Sequence, residues 1–192
     1  MGYSVIITAA RPRWFNGERF LSPVAARFIE SFMAKAHAVL RIGLISDTHN
    51  LVRPEALDRL AGVDAIVHAG DICQPEVLDT LARIAPVTAV RGNNDRGAWA
   101  DDLPMATTLT LGGVAIHVVH DIADWQLDPQ QRRVDVVVSG HSHKPSIAMR
   151  DGVLFVNPGS AGPRRFKLPI SMAMLIVEAA SARAELHTLV AL

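Results

Sequence analysis

The 192-residue chain reads as an α/β protein built from two sheets packed as a sandwich. Three observations predict it. Between residues 41 and 90, short aliphatic runs alternate with helix-patterned segments, the pattern of parallel strands joined by right-handed crossovers. Beyond residue 105 the alternation gives way to strand after strand with tight glycine turns. In both halves, the apolar runs end in side chains able to hold a metal.

Taken in order, residues 1–40 stand apart. They carry Arg11, Arg13, Arg19, Arg27 and Lys35 against Glu18 and Glu30. Val24, Phe28, Phe32 and Ala36 repeat at helical spacing after Ser22-Pro23, which suits a helix start, so a helix is expected over Pro23 to Leu40. A targeting peptide is also basic and amphipathic, but the two acidic residues weigh against one. Residues 1–40 are therefore expected to be an N-terminal extension, a peripheral helix or partly disordered, with the main domain at 41–192.

A strand is expected at 41–46, a helix from Pro54 to Leu60, a strand at Ala65 to His68, a helix from Pro75 to Ile84 with proline at its first position, and a strand at Val87 to Val90. Ligands of such sheets gather beyond the carboxyl ends of the strands. Later strands are expected at 106–111, 114–120, 134–139, 146–150, 153–156, 172–178 and 184–189. Gly112-Gly113 and Asp151-Gly152 join two of the pairs, and Pro129 to Arg133 suggests one short helix.

Composition narrows the function classes. Lys+Arg and Asp+Glu both total 19, which argues against broad attraction to nucleic acid or an anionic membrane. No apolar run approaches the roughly 18 residues of a membrane span. Cys73 is the single cysteine, so no internal disulfide can form and a reducing, cytoplasmic setting is the default expectation.

The donors at the strand ends are Asp47 and His49, Asp71, Asn93, His120, and His141 and His143. Mixed oxygen and nitrogen donors suit borderline first-row ions, and the absence of thiolates argues against a structural zinc site. The set is too large for one ion and fits two sharing a carboxylate. Two ions roughly 3.5–4 Å apart clamp a phosphoryl group and lower the pKa of a bridging water. Gly70, Gly92 and Gly140 are read as points where the backbone turns sharply before a ligand. His120 is preferred over His117, since residues three apart on a strand face opposite sides. His68 is read as structural, and Trp99 and Trp125 as pocket-lining or packing residues.

Asp47-x-His49, Gly70-Asp71, Gly92-Asn93-x-Asp95, His120 and Gly140-His141-x-His143 resemble, in order and spacing, the five blocks of the calcineurin-like metallophosphoesterases. Asn157-Pro158-Gly159-Ser160 followed by Pro163-Arg164 is similar to the small YfcE-type phosphodiesterase subfamily. The resemblance covers about residues 41–190 and implies a four-layer αββα sandwich of two mixed sheets. It also implies one metal held by Asp47, His49, Asp71 and His143, and another by Asp71, Asn93, His120 and His141. Asp71 would bridge the two, and hydroxide activated by both would attack a small phosphoester. Mn²⁺ heads the expected cofactors, with Ni²⁺, Fe²⁺ and Zn²⁺ as alternatives.

Two departures stand out. Many members place a proton-donating His where this chain has Asn94, and Asn cannot transfer a proton at neutral pH. The block usually reading His-Gly is His120-Asp121 here, which is expected to alter substrate access. Asn94, Asp71 and Asp95 are the candidate catalytic residues, Asp95 as a group orienting a ligand. Asn94 and Arg164 are candidate substrate contacts, because amides and guanidinium groups bind phosphate oxygens. The Asn157 turn is read as bracing the metal loops. The alternatives are a scaffold like the retromer subunit of this family, or a nuclease, against which the neutral charge argues. No stable nucleic-acid or membrane partner is expected, and a homodimer is compatible with the edge strands.

Overall fold

The computed structural model describes residues 14–15, 18–19, 39–125, 134–165 and 167–191. Two residue pairs near the start, β1 (Trp14–Phe15) and β2 (Glu18–Arg19), form a small antiparallel ladder. The helix expected over Pro23 to Leu40 and that over Pro129 to Arg133 fall almost wholly outside the described residues, of which only Val39 and Leu40 belong to the first.

The domain proper opens with β3 (Leu40–Ile45), α1 (Pro54–Leu60), β4 (Ala65–His68), α2 (Pro75–Ala82) and β5 (Val87–Ala89). β3, β4 and β5 run parallel, as the alternation requires. The short helix α3 (Ala98–Asp101) follows, unforeseen in the sequence because four residues carry too little periodicity. The later strands are β6 (Ala106–Leu111), β7 (Val114–Val119), β8 (Val136–Val138), β9 (Ser146–Arg150), β10 (Val153–Asn157), β11 (Ile170–Glu178) and β12 (Ser181–Val190).

They form two mixed five-stranded sheets, ordered β12-β11-β3-β4-β5 and β6-β7-β8-β10-β9. The long hairpin β11–β12 returns to the first sheet and pairs antiparallel with β3. β7, β8 and β10 are mutually parallel in the second sheet. Each sheet thus has a parallel core whose strands end on the same side.

Alternation along the strands divides the core in two. Ile42 and Leu44 of β3, with Val67 of β4, face Ile116 and Val118 of β7, Val136 and Val138 of β8, and Val156 of β10. That layer joins the sheets. Ile45 and Ile66 face the other way, onto Ala56 and Leu60 of α1 and Val77 and Leu81 of α2. Both helices begin with proline at the first turn, where the missing N–H costs nothing. Gly43 lies under Leu60, and a side chain there would displace that leucine. The far face of the second sheet carries Phe155, against which the Trp125 ring packs edge-on at 5.2 Å.

Candidate metal centre

Every candidate ligand sits in the turn just past a parallel strand. Asp47 and His49 follow β3, Asp71 follows β4, Asn93 follows β5, His120 follows β7, and His141 and His143 follow β8. Tight turns are needed to aim these side chains inward. Asp47, His49, Asp71, His141 and His143 all adopt left-handed backbone, with φ of 52°, 44°, 57°, 64° and 58°. Such conformations cost of order 1–3 kcal/mol each and persist where surrounding contacts impose them. Asp and His tolerate them better than most residues. No sequence pattern announces this feature, since glycine was the expected turn-former.

The glycines act by a different route than expected at two of three positions. Gly70 has φ +88°, a true left-handed turn. Gly92 and Gly140 have ordinary backbone, and there it is space that is lacking. A Cβ on Gly92 would strike the Asp71 backbone nitrogen and carboxylate, and one on Gly140 would strike Ser46 Oγ and Asp47 Oδ2. The cradle around the two aspartates closes only without those atoms.

The donors converge. Asp71 is central: its Oδ2 lies 3.7 Å from His49 Nε2 and its Oδ1 lies 3.5 Å from His120 Nε2. Its two oxygens thus face opposite histidines. On one side His49 Nε2 and His143 Nε2 are 3.4 Å apart, and His143 Nε2 is 3.3 Å from Asp47 Oδ1. On the other, Asn93 Oδ1 lies 2.9 Å from His120 Nε2 and 3.0 Å from His141 Nδ1. Donor atoms of Asp47, His49 and His143 fall within 4.8 Å of one another, and so do those of Asp47, Asp71 and His120.

These residues fit a metal. Asp47 is fully buried, and its Oδ1 has no hydrogen-bond partner while facing the imidazole nitrogens. A buried carboxylate oxygen left unpaired is costly unless a cation completes it. Burial alone would raise the Asp47 pKa, but the adjacent His143 imidazole and the bond from the Ser46 hydroxyl hold the carboxyl below its ordinary range, ready as an anion. Burial lowers the His49 pKa, against the pull of Asp71, and keeps the ring neutral as a ligand must be.

Around this set lies a supporting shell. Asp95 accepts hydrogen bonds from the backbone N–H groups of Asp71, Ile72, Cys73 and Gly92, so it clamps the Asp71 loop to the Asn93 loop. All those partners are backbone groups. His120 Nδ1 lies 2.8 Å from the Ala69 carbonyl, which fixes the ring. Asn157 Nδ2 donates to the Gly140 carbonyl, and Ser160 Oγ donates to the Asp47 carbonyl. The turn after β10 thus braces the Asp47 and His141 loops. Gly162 presses on the Asp47 and Thr48 carbonyls in the same region.

Other candidates fall elsewhere. The Asn94 backbone N–H and Nδ2 both donate to the Asp71 carboxylate, at 2.8 and 2.6 Å. Arg164 turns away: its guanidinium donates to the carbonyls of Leu168 and Ala191. The neighbouring Arg165 is the arginine whose charge reaches His49 and Cys73, opposing protonation of His49. Sequence reasoning could not separate these adjacent arginines. His117 pairs with Thr108 on β6, away from the donors, and His68 Nε2 lies 3.0 Å from the Thr48 hydroxyl. Trp99 packs among the α1 and α2 side chains, and Trp125 on Phe155. Asp121 reaches His141, with Oδ2 3.6 Å from Nε2.

This fold and donor set define a candidate metal centre on a two-sheet scaffold. The chain belongs to the calcineurin-like phosphoesterase superfamily, whose domain matches residues 40–180. It is 35% identical over 147 residues to a probable metallophosphoesterase of Methanothermobacter thermautotrophicus, covering 70% of this chain and 85% of that one. Its structure is similar to a predicted phosphoesterase of Streptococcus pneumoniae, with a TM-score of 0.63, 30% identity, and coverage of 79% and 91%. The fold is shared with Vacuolar Protein Sorting 29 of Cryptosporidium parvum, with a TM-score of 0.64, 21% identity, and coverage of 78% and 97%. Among the described residues, no helix is long and apolar enough to cross a membrane.

Proposed function

We propose that this protein hydrolyses a small phosphoester, a phosphodiester or phosphomonoester, using two divalent ions. The observation that carries this reading is Asp71, whose two oxygens face His49 on one side and His120 on the other. Asp47, His49 and His143 would hold one ion, Asn93, His120 and His141 the other, and Asp71 both. When bound, such ions supply Lewis acidity toward phosphoryl oxygens and a lowered pKa for bound water. Mn²⁺ is the first choice for this oxygen- and nitrogen-rich set, and Ni²⁺, Fe²⁺ and Zn²⁺ also suit it.

The chain's own groups then set orientation and proton supply. Asp95 and His120, anchored on backbone, keep Asp71 and Asn93 in register. Asn94 Nδ2 is placed beside the Asp71 carboxylate, where it can donate to a phosphate oxygen of bound substrate. Because Asn94 has no proton to transfer, the leaving oxygen takes its proton from solvent, and good leaving groups are favoured. Arg165 adds positive charge on the His49 side. A cytoplasmic setting suits Cys73, whose thiol is pushed up to about 11 by burial and by Asp95 and Asp71.

The test is hydrolysis of bis-p-nitrophenyl phosphate with Mn²⁺ or Ni²⁺ added. Turnover is expected, falling by about 100-fold or more in Asp71→Asn. A folded protein inert with every divalent ion would overturn the reading. Asn94 favours a second reading, a non-catalytic scaffold, since it stands where a proton donor would serve catalysis. A partner co-purifying with metal-free, inactive protein is the result expected of that scaffold.

A further inference from the structure

The four imidazoles of the centre do not share one environment. His49, His120 and His143 turn Nε2 toward the other donors, and their side chains are 9%, 6% and 9% exposed. His141 is the exception. It presents Nδ1 to Asn93 Oδ1 at 3.0 Å and to His120 Nε2 at 3.3 Å, and its side chain is 46% exposed. A half-exposed ring lacks the packing that fixes the other three.

The lone pair that ligates must be on Nδ1, so the ring proton must be on Nε2. That nitrogen points at Asp121, whose Oδ2 is 3.6 Å away. Asp121 is itself held: its Oδ1 accepts from the Ala123 N–H at 3.0 Å and caps the 3-10 turn Ile122–Asp124. One oxygen is thus tied to backbone, and the other is aimed at the imidazole. The residue expected from sequence to change substrate access also faces His141.

We propose that Asp121 is a positioning residue for His141: its carboxylate holds the ring with the proton on Nε2 and Nδ1 free for the ion shared with Asn93 and His120. A carboxylate behind a ligating imidazole orients the ring and raises its basicity, and removing such a partner typically costs about 10–100-fold in metal affinity. Asp121 lies near the lower end of that range because it is partly exposed. This inference rests on the two-ion reading above.

The test is Mn²⁺ titration of metal-stripped protein by calorimetry, comparing wild type, Asp121→Gly and Asp121→Asn, with thermal midpoints recorded alongside. Wild type is expected to show two sites. Asp121→Gly should weaken one of them by about tenfold and leave the other within about twofold. Asp121→Asn keeps an oxygen for the Ala123 cap but loses the charge, so it should weaken the same site by a smaller factor. Two unchanged affinities in Asp121→Gly would overturn the proposal while leaving the two-ion reading intact. Equal weakening of both sites would also overturn it, as that marks general loosening of the loop. Fewer than two sites in wild type would overturn the two-ion reading and this inference together.

Discussion

His68 ends β4 fully buried, with Nε2 against the Thr48 hydroxyl and Nδ1 without a partner. Burial lowers its pKa from the usual 6.5 to about 4, outweighing the nearby Asp47 carboxylate. The folded protein therefore keeps His68 neutral where the unfolded chain would protonate it. Its contribution is full above pH 6.5 and is lost as pH falls toward 4, a swing of about 3 kcal/mol. Metal-free His68→Gln should lose markedly less stability than wild type between those pH values, as read by urea unfolding at each pH. The arginine pair offers a second contrast. Arg164→Ala removes bonds to the Leu168 and Ala191 carbonyls and should lower Tm by about 2–4 °C with KM unchanged. Arg165→Ala should leave Tm in place and raise KM for bis-p-nitrophenyl phosphate by about tenfold. The identity of adjacent arginines says nothing about which way each turns, because the direction is set by packing of the loop on Asp47 and Thr48.

Most of the left-handed non-glycine backbone among the described residues lies just past strand ends. β3, β4 and β8 deliver Asp47, His49, Asp71, His141 and His143 through left-handed turns. Those turns survive because clamps such as Asp95, Asn157 and Ser160 bond to the neighbouring backbone. Gly140 tests the tightness of this packing. Gly140→Ala would push on Ser46 and Asp47 and is expected to cost about 1–3 kcal/mol and to weaken Mn²⁺ binding. Gly152→Ala, at a hairpin tip with open space around it, should cost only the strain of its positive φ, about 1 kcal/mol, and leave metal binding alone. Urea titration with and without Mn²⁺ measures both. The strands from β3 onward and the two longer helices were legible in the sequence, the central parallel strands because burial on both faces shows as continuous aliphatic runs, while the short β1–β2 ladder was not. Their ends carried the donors for the same topological reason. The 3-10 turn at Ile122 and the helix at Ala98 were not legible, being too short for periodicity, and the Asp121 contact depends on that turn.

At the scale of the whole domain, two parallel-cored sheets stack so that both sets of strand ends open on one region. The first sheet supplies Asp47, His49, Asp71 and Asn93, and the second supplies His120, His141 and His143. Neither sheet alone holds the full donor set, so the centre exists only when the shared core of Ile42, Leu44, Ile116, Val118 and Val136 is formed. The ordered blocks made this convergence visible in the sequence, since each block sits at a strand end, the first three on strands of one sheet and the last two on strands of the other. Which oxygen faces which histidine was not visible, because that depends on side-chain packing across the sheets. Metal content by mass spectrometry on purified, Mn²⁺-loaded protein, run beside Asp71→Asn, tests the central claim most directly. About two ions per chain, largely lost in the variant, is the predicted result. Little metal in either folded protein would contradict the account, because the donors would then meet without forming a site.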